Sequence, residues 1–211
     1  MEINRAEAFT PLNRFDEAIL SFEKAREYCV RHEIGFWFDM LDKNIADLYF
    51  KRGTYSEALR SLEKVRPRYR EQEDDRRLAL CDLERAEIYL QLNLPQEAAE
   101  LAESAQAFFE ETSSPAETAQ CLTLAGIAQS ERGETDSAEQ TFRHAVDMFR
   151  GLGKAVEAAG VNLQLAKLQN AKGDFPAAGT LAAAAAFEAE DLAVRGAYAR
   201  ITLALLARTG A

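Results

Sequence analysis

The sequence is short of the residues on which most enzyme and metal sites depend. Its 211 residues include only two histidines, three cysteines and one tryptophan. It contains no CxxC, HExxH or EF-hand loop, and Gly151 and Gly153 do not precede a strand-to-helix turn, so no metal or phosphate motif is present. Cys29 and His32 could meet on one helix, but no Asn or Asp follows at a spacing that would orient the imidazole ring. We therefore predict a non-enzymatic protein that needs no cofactor.

Long apolar runs and excess positive charge are also missing. No run approaches the ~18 residues of a membrane span, and the N-terminus has no signal-peptide core. The formal net charge is −10, whereas nucleic-acid binding depends on clustered Lys and Arg. Three widely separated cysteines, Cys29, Cys81 and Cys121, are typical of reduced core residues. These features predict a cytoplasmic protein that binds neither a membrane nor nucleic acid.

A turn residue recurs every 40 residues. Asn and Gly most readily adopt the left-handed conformation that ends a helix. Five positions share this spacing: Asn13, Gly53, Asn93, Gly133 and Gly173. Five residues after each turn stands an alanine: Ala18, Ala58, Ala98, Ala138 and Ala178. Seven residues before each turn the side chain is again small: Ala6, Ala46, Ala86, Gly126 and Ala166. Small residues at fixed places in both helices predict closely packed helical hairpins.

Apolar residues between these positions follow helical spacing, and no stretch alternates as a strand would. We predict a partial helix over 2–9 and full helices over 14–32, 36–51, 55–71, 75–92, 95–111, 115–131, 135–150, 154–171, 175–189 and 192–208. The fold class is therefore all-α, with about five antiparallel hairpins and a final helix. Tyr198, Ile201, Leu205 and Leu206 give that final helix an apolar edge, which predicts self-association or continuation into a longer array.

The repeat resembles the tetratricopeptide repeat, with a 40-residue period in place of the usual 34. The best copy comprises Ile45, Ala46, Leu48, Tyr49, Gly53, Tyr55, Ala58, Leu62 and Val65. The family's tryptophan is replaced by Asp42, Asp82, Leu122 and Asn162 in successive copies. The resemblance implies a single right-handed α-solenoid over residues 1–211, in which the first helix of each hairpin lines a concave face.

Projection of the first helices onto this face gives a candidate groove for a protein or peptide. Its residues are Glu7, Lys43, Asp47, Phe50, Leu83, Glu87, Leu90, Thr123, Ile127, Leu163 and Lys167. Glu7, Asp47 and Glu87 occupy the same repeat position and predict an acidic ladder. A familiar use of such grooves is a Lys/Asn clamp for a terminal carboxylate, and this sequence lacks it. The groove therefore favours a partner with apolar and basic character.

Three functions fit these observations. The first is a binding scaffold, because a repeat array presents a long surface and no reactive group. The second is a sensing segment of a larger bacterial protein: residues 80–90 are similar to repeats that precede CHAT domains, which are caspase-like proteases, and a signalling ATPase is the other possible context. The third is an oligomerisation module. The CHAT resemblance implies that the catalytic Cys and His lie outside this chain.

Overall fold

The structure is a computed structural model that describes residues 2–188, and every regular element in that range is helical. The α-helices are α1 (Glu2–Phe9), α2 (Phe15–Arg31), α3 (Phe38–Arg52), α4 (Tyr55–Glu71), α5 (Asp75–Gln91), α6 (Pro95–Glu111), α7 (Pro115–Glu131), α8 (Thr135–Gly151), α9 (Ala155–Lys172) and α10 (Phe175–Glu188). Short 3-10 turns cover Thr10–Leu12 and Gly35–Trp37. The all-α prediction is confirmed, whereas the predicted helix over 192–208 lies outside the described residues.

The helices form two compact units, which divide between Asn93 and Leu94. In the first unit each of α1 to α4 packs against the helix that follows it. In the second unit the same holds from α6 to α10, and α7 also contacts α9. The third predicted hairpin, α5 with α6, contributes one helix to each unit. No helix within residues 2–188 combines the length and apolar character of a bilayer span.

A residue with positive φ stands between successive helices at every twentieth position, twice as often as the sequence indicated. These residues are Asn13, Glu33, Gly53, Glu73, Asn93, Ser113, Gly133, Gly153 and Gly173. Around eight of them the next amide donates to a carbonyl five residues back, as from Thr54 to Tyr49 (2.9 Å) and from Ser114 to Phe109 (2.8 Å). This bond satisfies a carbonyl that the helix end would otherwise leave without a partner. Each turn thus ends one helix and starts the next.

The small residues predicted to allow close packing are buried. Ala18, Ala58, Ala98 and Ala138 have no exposed surface. Gly126 is also buried, and a Cβ there would lie 2.7 Å from Cε1 of Phe142. Large side chains fill the space between hairpins at shared repeat positions: Phe22, Leu62 and Phe142 form one set, and Tyr69, Phe109 and Phe149 form another. The core is therefore periodic, as the sequence pattern is.

Ion pairs replace the family's tryptophan in the first unit. Asp42 has only 5% of its side chain exposed and accepts hydrogen bonds from Arg26 Nε (2.5 Å) and Arg68 Nη2 (2.6 Å). One repeat later Asp82 pairs with Arg66, and each of these arginines, Arg26 and Arg66, precedes its aspartate by 16 residues. An acidic residue is tolerated at this buried position because arginine neutralises it.

The three cysteines are buried and form no disulfide. Burial raises the pKa of the Cys81 thiol to about 12, with a further contribution from the charge of Glu84. Burial likewise raises the pKa of Cys121 to about 12. The thiolate is the nucleophilic form, so both groups are inert at neutral pH. The imidazole of His32, which could have met Cys29, stacks on Tyr28 with ring centroids 4.2 Å apart.

We expect Ala98→Asp to destabilise the protein by roughly 3 kcal/mol or more, because it would place an unpaired charge between helices. The matched control is Ala107→Asp, the same change on the exposed side of α6. Urea denaturation followed by circular dichroism would measure both. Equal unfolding midpoints for the two variants would contradict the assigned packing register.

We expect Asp42→Ala to lower stability by roughly 2–3 kcal/mol, because it leaves Arg26 and Arg68 without their shared acceptor; both arginines keep partial contact with water, which reduces the cost. Asp16→Ala removes an aspartate whose side chain is 79% exposed and which pairs with Arg52. That control should change stability far less. Thermal melts of both variants would decide, and an unaltered melting temperature for Asp42→Ala would rule out the ion-pair network as a structural element.

We expect Cys81 and Cys121 to resist thiol reagents in the native protein at about pH 8. A pKa of about 12 in place of 9.0 reduces the thiolate population roughly 1,000-fold. Alkylation with peptide mapping by mass spectrometry should show slow modification of both, and rapid modification after unfolding in guanidinium. Rapid modification of either residue in the folded chain would indicate an accessible, activated thiol instead.

Candidate partner-binding surfaces

A small cavity is bordered by residues of α1, α2 and α3; we call it cleft 1. It has a volume of about 340 Å3 and is lined by Glu7, Thr10, Pro11, Phe22, Asn44, Asp47 and Leu48. The carboxylates of Glu7 and Asp47 come from the first helices of successive hairpins, and both residues are exposed. Phe22 is almost fully buried and closes the inner side. The structure therefore brings two members of the predicted acidic ladder to one surface.

The second unit has an equivalent cavity, which we call cleft 2. Its volume is about 250 Å3, and it is lined by Ile127, Ser130, Glu131, Phe142, Gln164, Lys167 and Leu168. Each of these residues stands 120 positions, or three repeats, after a residue of cleft 1. The recurrence shows that the clefts follow from the fold. Their chemistry differs, because Ile127 and Lys167 stand where cleft 1 has Glu7 and Asp47.

The acidic character of the first unit extends along α5. The pKa of Glu84 is raised by burial, although the Lys43 ammonium, 2.9 Å away, opposes this. Although the Glu87 side chain is exposed, neighbouring protein atoms displace water from around its carboxylate and raise its pKa, and the charges of Glu84 and Asp47 raise it further. The contact between Lys43 of α3 and Glu84 of α5 shows that these two helices present charged residues to the same region. Lys51 Nζ lies 2.7 Å from Asp47. The acidic surface of the first unit thus comprises four acids and two lysines: Glu7, Asp47, Glu84, Glu87, Lys43 and Lys51.

Three predicted groove residues are core residues instead. Leu83, Leu90 and Leu163 have 8%, 7% and 4% of their surface exposed, so their assignment to an open groove is corrected. Leu163 packs with Ala159 and with Ala185 of α10. The projection onto a helix face gives the direction of a side chain but not the depth to which neighbouring helices cover it.

The remaining groove residues differ in how much surface they offer. Glu7, Lys43, Asp47, Glu87 and Lys167 are exposed, and Phe50, Thr123 and Ile127 are half-buried. Phe50 contacts the Tyr55 ring at 5.8 Å between centroids, and the Thr123 hydroxyl donates to the Ala119 carbonyl at 2.8 Å. That a partner contacts these residues stays a prediction.

The sequence did not predict a larger cavity at the start of α3 and α5, which we call the Trp37 cavity. It has a volume of about 690 Å3 and is lined by Gly35, Trp37, Asp39, Met40, Lys43, Tyr69, Gln72, Arg77, Leu80 and Cys81. The cavity lies beside an exception to the twenty-residue spacing. Helices begin at Phe15 and Tyr55, so a helix would be expected to begin at Gly35. A 3-10 turn begins there instead, and α3 starts at Phe38. The only available signal was Gly35 followed by two aromatic residues.

Within residues 2–188, no group of three or more His, Cys, Asp or Glu side chains is arranged to hold a metal ion. The raised pKa values of Cys81 and Cys121 also make these thiols poor nucleophiles. The surfaces described above offer cavities, apolar walls and fixed charges, which are the elements of binding.

Comparison with known proteins identifies the repeat. Residues 82–151, about a third of the chain, match the tetratricopeptide repeat family. No curated protein matches the sequence. Among solved structures, TTC0263, a thermophilic TPR protein in Thermus thermophilus, has a TM-score of 0.70 at 19% identity, and the match covers 96% of this chain and 97% of that chain.

Two further structures have similar folds. BtubC (BKLC) from P. vanneervenii has a TM-score of 0.69 at 20% identity, with 93% of this chain and 84% of that chain covered. A Rap protein complexed with Competence and Sporulation Factor has a TM-score of 0.78 at 16% identity, with 98% of this chain and 64% of that chain covered. The repeat predicted from the sequence is thus a tetratricopeptide repeat over residues 82–151, and the chain has the tetratricopeptide-repeat fold.

Proposed function

We propose that the chain is a binding scaffold that holds a protein or peptide segment against the inner faces of its first helices. The observation that carries this proposal is the recurrence of a cleft at identical repeat positions in both units. A surface feature that the fold generates at matching repeat positions is available for binding, while the residues that line it can vary. A Rap protein of similar fold is likewise found in a complex with a second molecule.

The partner of the first unit carries positive charge on this proposal. Glu7, Asp47, Glu84 and Glu87 are countered only by Lys43 and Lys51 on this surface. The negative electrostatic potential of this surface attracts cations and repels the phosphates of nucleic acids. Desolvation and, after it, the charges of Glu84 and Asp47 raise the pKa of Glu87, and a cationic group nearby would offset both effects.

The scaffold requires no cofactor and acts by binding alone. Within a longer protein it would dock a ligand for a domain elsewhere, as in the regulatory role that the CHAT-like repeats imply. We propose that the acidic surface of the first unit binds the ligand whether the chain acts alone or within a longer protein, because the acidic residues and cleft 1 belong to the first unit itself.

We expect a random library of blocked peptides to yield cationic ligands whose affinity falls when NaCl rises from about 50 to about 500 mM, because salt screens exposed charges. The double variant Asp47→Asn/Glu87→Gln should bind them roughly 3- to 10-fold more weakly, since each exposed ion pair contributes about 0.2–1 kcal/mol. Its salt dependence should also be smaller. Fluorescence anisotropy would measure both effects.

The matched control for this experiment is Glu100→Gln/Glu110→Gln. It removes two exposed carboxylates from α6, where they accept hydrogen bonds from Gln96 and Gln106. Its affinity for the selected peptides should stay within about twofold of wild type. Enrichment of acidic peptides, or equal losses in the two double variants, would refute the proposed surface.

A further inference from the structure

The Trp37 cavity has apolar walls of a kind that receive a side chain. Trp37 is 39% exposed, and Met40 and Leu80 are half-buried. Tyr69 is buried, and the Arg77 guanidinium lies 5.6 Å from the centroid of its ring. Aromatic residues and methionine are enriched where proteins hold partners. At about 690 Å3, the cavity has room for a large side chain and the backbone that carries it.

The charges at this cavity are already paired within the protein. Asp39 lies 2.8 Å from Arg68 Nε and 3.7 Å from Arg77 Nη1. Arg77 Nε also lies 3.3 Å from Asp74, and the Lys43 ammonium lies 2.9 Å from Glu84. A charged group inside the cavity would have to displace one of these pairs, whereas an apolar group would only cover the walls. The occupant that fits is a large apolar side chain.

The acidic residues of the first unit begin at the border of the cavity. Lys43 lines the cavity and contacts Glu84, and Asp47 and Glu87 lie farther along the same two helices. Asp47 follows Met40 by seven residues, and Glu87 follows Leu80 by the same number. Seven residues of α-helix span about 10.5 Å. An extended peptide covers that distance in about three residues.

We propose that the first unit recognises a two-part motif: a large apolar side chain in the Trp37 cavity and a lysine or arginine about three residues away, against Asp47 and Glu87. This inference rests on the proposed function and specifies its ligand. Either order of the two residues along the peptide satisfies the spacing. Trp37 is the only tryptophan of the chain and reports on occupation of the cavity by its fluorescence.

The spacing can be tested on the wild-type protein alone. The probes are blocked ten-residue peptides of Gly and Ser with one Phe and one Arg, placed one, three or six residues apart in both orders, and a set with Gly in place of Phe. The three-residue spacing should bind at least fivefold more tightly than the other spacings in one or both orders, and the Phe peptides should shift the Trp37 emission. Equal affinity for all spacings, or for Phe and Gly peptides, would overturn the inference.

Two variants separate the parts of the motif. Leu80→Gln should abolish the preference for Phe over Gly while the salt dependence remains, and Asp47→Asn/Glu87→Gln should abolish the preference for Arg while that for Phe remains. Leu92→Gln, at the exposed end of α5, is the matched control and should change neither. Loss of both preferences in Leu80→Gln, with a wild-type melting temperature, would contradict separate recognition.

The same data distinguish failure of the inference from failure of the proposed function. If cationic peptides bind and lose affinity in Asp47→Asn/Glu87→Gln, but ignore the Phe residue and its spacing, the acidic surface is correct and the two-part motif is wrong. If no cationic peptide binds, both proposals are wrong.

Discussion

The rest of the structure depends on one backbone conformation, a left-handed residue at every twentieth position. It lets each helix end with its carbonyls satisfied and directs the next helix back alongside it. Left-handed geometry costs roughly 1–2 kcal/mol for a residue with a Cβ, yet Glu33, Glu73 and Ser113 adopt it with φ values of 54°, 53° and 52°. At these three turns the hydrogen bond across the turn and the packing of the two helices offset that cost. Helices of similar length from α2 to α9, and the recurring clefts, follow from this spacing.

Charge distinguishes one unit from the other within the same architecture. In the first unit, Asp42 and Asp82 hold arginines of the preceding helices at the position where the family has tryptophan. In the second unit, that position is filled by Leu122 and Asn162, both buried. The repeated backbone accepts either an aspartate or an uncharged residue at this position. Where the residue is an aspartate, an arginine 16 residues earlier in the sequence pairs with it. The fold thus fixes where groups meet, and the sequence decides whether they are ionic or apolar.

Much of this could be predicted from the sequence, and what could not has identifiable physical causes. Asn and Gly reveal left-handed turns because they adopt that conformation at low cost, so alternate turns were visible. Glu33 and Glu73 carry no such signal, since the tertiary packing imposes their geometry. The helix-face projection found Glu7 and Asp47 but misjudged Leu83 and Leu90, because a projection gives direction and not depth. The Trp37 cavity depends on a 3-10 turn that delays α3 by three residues, and local propensity does not register so small a shift.

In the proposed two-part motif, the apolar side chain should contribute more to binding free energy than the basic side chain. Exposed ion pairs contribute about 0.2–1 kcal/mol each, so two of them contribute at most about 2 kcal/mol and less in salt. Burial of one large apolar side chain contributes about 1.5–3 kcal/mol and is not screened. In the proposed binding mode, the charges of Asp47 and Glu87 attract and orient the ligand, and the cavity discriminates among cationic segments. Met40 and Asp47 on α3, and Leu80 and Glu87 on α5, are each seven residues apart, and in the proposed motif the helical rise sets the spacing that a ligand would have to match.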